Sequence, residues 1–174
     1  SDAIKQAGDT MTRLRGELKL ADAQMANTGQ SVEGLAKKHE LLAEHDEALS
    51  RKIEALNGKM EKAREVWGDN SQEVQRYTNM ITSAQAAQER VRGQIESVSA
   101  ALESQREAEA RAESALGKLG AAIEAQQAEV SRLADEYKNA VIQYGRTSDE
   151  AKSLETALRN ANDSLDKSKR SMAE

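Results

Sequence analysis

The stretch KHELLAEHD, residues 38 to 46, brings His39, Glu40 and His45 close together and raises the question of a zinc site. A zinc helix of the His-Glu-x-x-His kind needs its two histidines four residues apart, so that both point from one face. These two are six apart, which turns them about 120° away from each other on a helix. The reading is therefore no metal site, with His39 and Asp46 serving instead as polar residues that specify helix register. No nucleophile, base and orienting acid can be assembled elsewhere, and no Gly-rich loop could cradle phosphate. The sequence reads as a non-enzyme with no cofactor and no small-molecule substrate.

The elements that carry these residues follow from composition and periodicity. The chain has 174 residues, no Pro, Cys or Phe, and is 38% hydrophobic and 32% charged, with the apolar share mostly Ala and Leu. It lacks the large side chains that fill a compact globular core and suits extended helices instead. The formal net charge of -5 is spread over mixed signs without a Lys/Arg stripe or interleaved aromatics, so a nucleic-acid groove is not expected. No run approaches the ~20 apolar residues of a membrane span, and no signal-peptide pattern is visible. The segment reads as soluble.

A seven-residue repeat runs from end to end. Stepping by seven from Ile4 (position a), 21 of 25 residues are apolar, the exceptions being His39, Asp46, Gln88 and Glu109; stepping from Ala7 (position d), 18 of 24 are apolar. A stripe this narrow supercoils left-handedly and cannot be buried by a lone helix, so each helix needs a helical partner.

Shifting the sequence by 77 residues places Ile53, Leu56, Met60 and Ala63 on Val130, Leu133, Tyr137 and Ala140. The same shift places Trp67, Gly68, Ser71 and Glu73 on Tyr144, Gly145, Ser148 and Glu150. Residues 53–84 and 130–161 are thus a divergent internal repeat, and 77 is eleven heptads, which preserves the register. Gly68 and Gly145 suit the left-handed residue after a helix. Asn70 and Thr147 are expected to N-cap the following helices, with Glu73 and Glu150 closing capping boxes. Trp67 and Tyr144 occupy the last a position before each turn and are expected to plug the hairpin ends. A weaker break lies at Asn27 to Gly29 with Ser31 restarting the helix, and GKLG (117–120) is a candidate kink.

The expected fold is all-α, with residues 1–174 as one elongated coiled-coil segment and helices near 2–26, 31–67, 71–144 and 148–172. Antiparallel hairpins around the long central helix are favoured, because a tight turn closes at small entropic cost. The alternative is a continuous rod of about 260 Å at ~1.5 Å per residue, in a parallel oligomer of identical copies.

The paired aromatic-Gly-x-x-Ser-x-Glu breaks, the opening LKLADAQM with SVEGLAKKHELL, and the later EVSRLADEYKNAVIQYGRTSDEAKSLETALRNAN resemble the helical repeats of tail tape measure proteins of long-tailed bacteriophages. The likeness covers nearly the whole chain. It implies a segment of a longer polypeptide that lies in the tail tube lumen of the virion and sets tube length. It also implies synthesis in the bacterial cytoplasm, and as partners other copies of itself, the tail tube protein and the tail assembly chaperone. A secreted hairpin protein of the WxG type and a cellular coiled-coil arm are the alternatives. Against the former, no residue separates Trp67 from Gly68, and the turn recurs at Tyr144-Gly145.

Overall fold

The computed structural model describes residues 2–173, which form four helices: α1 (Asp2–Thr28), α2 (Val32–Trp67), α3 (Gln72–Tyr144) and α4 (Asp149–Ala173). Among the described residues no strand occurs, so the fold is all-α. The helices end within two residues of the ranges read from the sequence. The candidate kink at 117–120 lies inside α3, and the helix is not interrupted at Gly117 or Gly120.

Each break is made by the same local chemistry. Gly29, Gly68 and Gly145 take φ of 84°, 81° and 88°, a region that L side chains rarely enter, and their N–H groups donate back to the carbonyls of Met25, Arg64 and Val141. The next helix then starts from a serine. Ser31 Oγ accepts from Gly34 N at 3.0 Å, Ser71 Oγ from Val74 N at 3.3 Å, and Ser148 Oγ from Ala151 N at 3.2 Å. Each hydroxyl satisfies one amide that the first helical turn leaves without a partner.

The chain divides into two compact units, with the boundary between Glu107 and Ala108; the reading of 1–174 as one segment contains no such division. In the first unit, α1, α2 and the start of α3 share a hydrophobic cluster of Met11, Leu35, Leu42, Ala48, Leu49, Val91 and Val98. A smaller cluster of Leu14, Ala21 and Leu41 joins α1 to α2. Polar pairs fix the order of contacts between α2 and α3. Arg92 Nε donates to Asp46 Oδ1 at 3.1 Å, Gln88 Nε2 to Ser50 Oγ at 2.7 Å, and Thr78 Oγ1 to Met60 Sδ at 3.5 Å. Four residues forward along α2, from Asp46 to Ser50, match four residues back along α3, and ten more to Met60 match ten more back to Thr78. Contacts between α1 and α2 also run in opposite senses, from Arg13 with Glu44 to Asp22 with Lys38.

The second unit comprises α3 from Ala108 onward and α4. Its buried residues are Ile123, Leu133 and Ala140 on α3 and Ala151 and Leu165 on α4, all at a or d positions. The heptad register thus marks burial in both units.

α2 is the exception that the a/d stripe does not describe. Its d residues Leu35, Leu42, Leu49, Leu56 and Ala63 are all buried, yet so are Leu41, Ala48 and His45 at c and g. A helix that packs against neighbours on two sides must bury two stripes, and α2 has α1 on one side and α3 on the other.

Candidate functional site: the duplicated turns and the buried polar groups

The two turns after α2 and α3 are the features the chain repeats, and both are built by the sequence Gly-x-x-Ser. Ser71 N donates to Gly68 O and Ser148 N to Gly145 O, each at 3.2 Å, closing the same three-residue step. Asn70 and Thr147 are not the caps; that role belongs to Ser71 and Ser148, one residue later. The capping-box assignment of Glu73 and Glu150 falls with it, because the position three residues past each serine is Val74 or Ala151. Both glutamates instead sit in the first turn of their helices, where a negative charge complements the helix dipole.

Trp67 and Tyr144 do not plug the ends. They are 62% and 58% exposed. Counting seven residues past Met60 reaches Trp67, and seven back from Thr78 reaches Ser71, so the residue opposite Trp67 is the turn itself and no helix is left to cover the ring. Val66 and Ile142 beside them are exposed as well. The last buried layer is Ala63 with Val74 around the first turn, and Ala140 with Ala151 around the second. Small side chains there let the two backbones approach as the turn requires.

Comparison with protein-family models, curated proteins and solved structures returns no match.

Of the two register residues read from the sequence, Asp46 is tied to α3 twice, its carboxylate by Arg92 and its backbone carbonyl by Gln88 Nε2 at 3.5 Å. His39 is half-buried, and no hydrogen bond or ion pair assigns it that role. The buried polar residue that does bridge helices is Gln88, at an a position of α3. Sequence reasoning marked Gln88 as a polar exception on the stripe without giving it a role. The turn is centred on residue 69, and reflecting α2 onto α3 about that point sets Gln88 against Ser50.

His39, Glu40 and His45 do not converge. Among the described residues no group of three or more His, Cys, Asp or Glu side chains is placed to hold a metal ion. His45 lies apart from the others, 7% exposed, with Nε2 buried and without a hydrogen-bond partner. Burial pushes its pKa below the ordinary histidine value, Arg15 adds to that, and Asp46 opposes it. A second orphan, Gln126 Oε1, is buried at a d position of α3 in the second unit. No described helix is long and apolar enough to cross a membrane.

Proposed function

We propose that this chain is a length-setting segment of a bacteriophage tail tape measure protein, a helical ruler that lies in the tail tube lumen of the virion. The observation that carries the reading is the recurrence of one turn after 77 residues, a whole number of heptads, in a chain that is otherwise helix. A site duplicated for chemistry need not keep the helical phase, whereas a module of length must. An α-helix converts residue number into distance at ~1.5 Å per residue whatever its surface sequence, and proline-free helix does so without kinks.

In this account the free chain folds as antiparallel coiled-coil hairpins, and the extended ruler forms by straightening the turns. Support comes from the pairings that run in opposite senses between α2 and α3 and from the single register that continues through both breaks. Nothing lies within 4 Å of where a Cβ would stand on Gly29, Gly68 or Gly145, so the turns themselves are unencumbered, and straightening them exchanges the contacts of Leu42 and Leu49 with Val91 and Val98 for contacts with another copy. Once straightened, the same a/d positions that pair within one chain present an unbroken stripe to parallel copies. The tail tube protein and the tail assembly chaperone are the further partners that the family resemblance supplies.

The test is an in-register deletion of residues 68 to 144 in the phage that encodes the segment. It joins Trp67 to Gly145, keeps one complete turn and the heptad phase, and should shorten tails by about 115 Å at ~1.5 Å per residue. Tails of unchanged length, or no tails at all from a stable and expressed protein, contradict the proposal.

A further inference from the structure

His45 occupies a position that the ruler reading leaves unused. Its neighbours one helical turn away on α2 are Leu41, Leu42, Ala48 and Leu49, each no more than 4% exposed. On the α1 side lie Leu14, fully buried, the basic Arg15, and Arg13, whose guanidinium is bonded to Glu17 Oε1 at 2.7 Å and to Glu44 Oε2 at 3.4 Å. On the α3 side lies Arg92, held by Asp46 Oδ1. Thus the carboxylate next in sequence, Asp46, is already engaged by a guanidinium, Arg13 is balanced by Glu17 and Glu44, Arg15 is the cation that acts on the ring, and Nε2 has no acceptor to receive a proton's bond. A neutral ring fits this site, but an imidazolium would be a buried charge without a hydrogen-bond partner and with Arg15 against it.

We propose that His45 is an acid-sensitive latch that holds α1 against α2 when neutral and releases it when protonated. The free α1 can expose Nε2 to water and leaves Arg13 and Arg15 behind in solvent, so the released state takes up the proton more readily than the docked one. The sign follows from linkage. Docking is fully favourable above the ordinary histidine pKa of 6.5 and weakens as pH falls below it, by up to tenfold per pH unit for one proton, until the docked form is itself protonated.

Amide hydrogen exchange on the whole 174-residue chain tests the latch, with α4 as the internal reference for the pH dependence of exchange chemistry. Relative to α4, protection across α1 should hold from about pH 7.5 to about pH 6.5 and fall by up to about tenfold per pH unit from there to about pH 5. His45→Gln should flatten that dependence, and His39→Gln, which removes the only other histidine, should leave it in place. The proposal is overturned if α1 protection does not depend on pH, if His45→Gln retains the dependence, or if His39→Gln abolishes it. Should His45→Gln fail to fold, the wild-type imidazole titration followed by NMR decides: His45 must titrate below the usual histidine range while α1 is docked, and an ordinary midpoint with α1 still protected overturns the latch.

Discussion

Gln88 Nε2 on α3 reaches Ser50 Oγ on α2 at 2.7 Å, a part-buried hydrogen bond on a stripe that is mostly apolar. A single polar residue at an a position makes pairing conditional, since any shift of one helix along the other strands the amide. Gln88→Leu should therefore leave stability within about 1 kcal/mol of the parent or above it, because an apolar side chain fills the space without needing a partner. The cost should appear in uniqueness. Spin labels at the exposed residues Glu54 and Gln85 should give one narrow distance distribution in the parent and a broader one in Gln88→Leu.

The caps and the turn glycines can be separated by mutation. Ser71→Ala and Ser148→Ala should each cost about 1 kcal/mol, and Gly68→Ala or Gly145→Ala about 1 kcal/mol or more because of the positive φ. Asn70→Ala and Thr147→Ala should be close to neutral. Thermal melts of the six single variants decide between the two cap assignments.

That one-residue shift marks how far the sequence could be read. Glycine followed by a cap-forming residue is a strong local signal, and it places all three breaks. At the second break, however, Asn70 and Ser71 can both cap, and Glu73 made the former look like half of a capping box. Only the backbone hydrogen bonds decide. His45 was legible as a residue but not as a buried one, because the heptad stripe assumes a single partner and α2 has two. Trp67 and Tyr144 belong to the stripe by spacing, and their exposure follows from the end of the partner helix, which no pattern within one helix encodes.

Residues 106 to 118 of α3 are exposed without exception. Fourteen residues before Asp46 is Val32, the start of α2, and fourteen past Arg92 is residue 106, so α2 runs out there. The Sδ-bound methyl of Met172, at the end of α4, lies 4.0 Å from where a Cβ on Gly120 would stand, which puts the other limit just beyond 118. A helical stretch exposed on all sides opens locally more often than one that is packed. Limited trypsin digestion should cut first after Arg106, Arg111 or Lys118, and mass spectrometry of the first fragments should show it. First cuts within residues 35–63 would contradict this picture.

Gln126 offers a stabilising change. Its Oε1 is buried without a partner, at a d position where leucine is the common occupant. Gln126→Leu should raise the stability of the second unit by about 1 kcal/mol, since it removes a desolvated acceptor and adds apolar contact. In contrast, Ala151→Leu at the fully buried position beside the second turn should cost about 1–3 kcal/mol by overpacking. Differential scanning calorimetry on the two variants should show opposite shifts in Tm.

The central claim is that the 77-residue module encodes length, and its most direct measure is a slope. Phage carrying none, one, two or three in-register copies of residues 68 to 144 should have tails, measured by electron microscopy, that lengthen linearly by about 115 Å per copy at ~1.5 Å per residue. Copies altered by three residues should change length almost as much while weakening the protein, because they break the heptad phase. A slope near zero, with tails assembled at one length whatever the number of copies, would contradict the account.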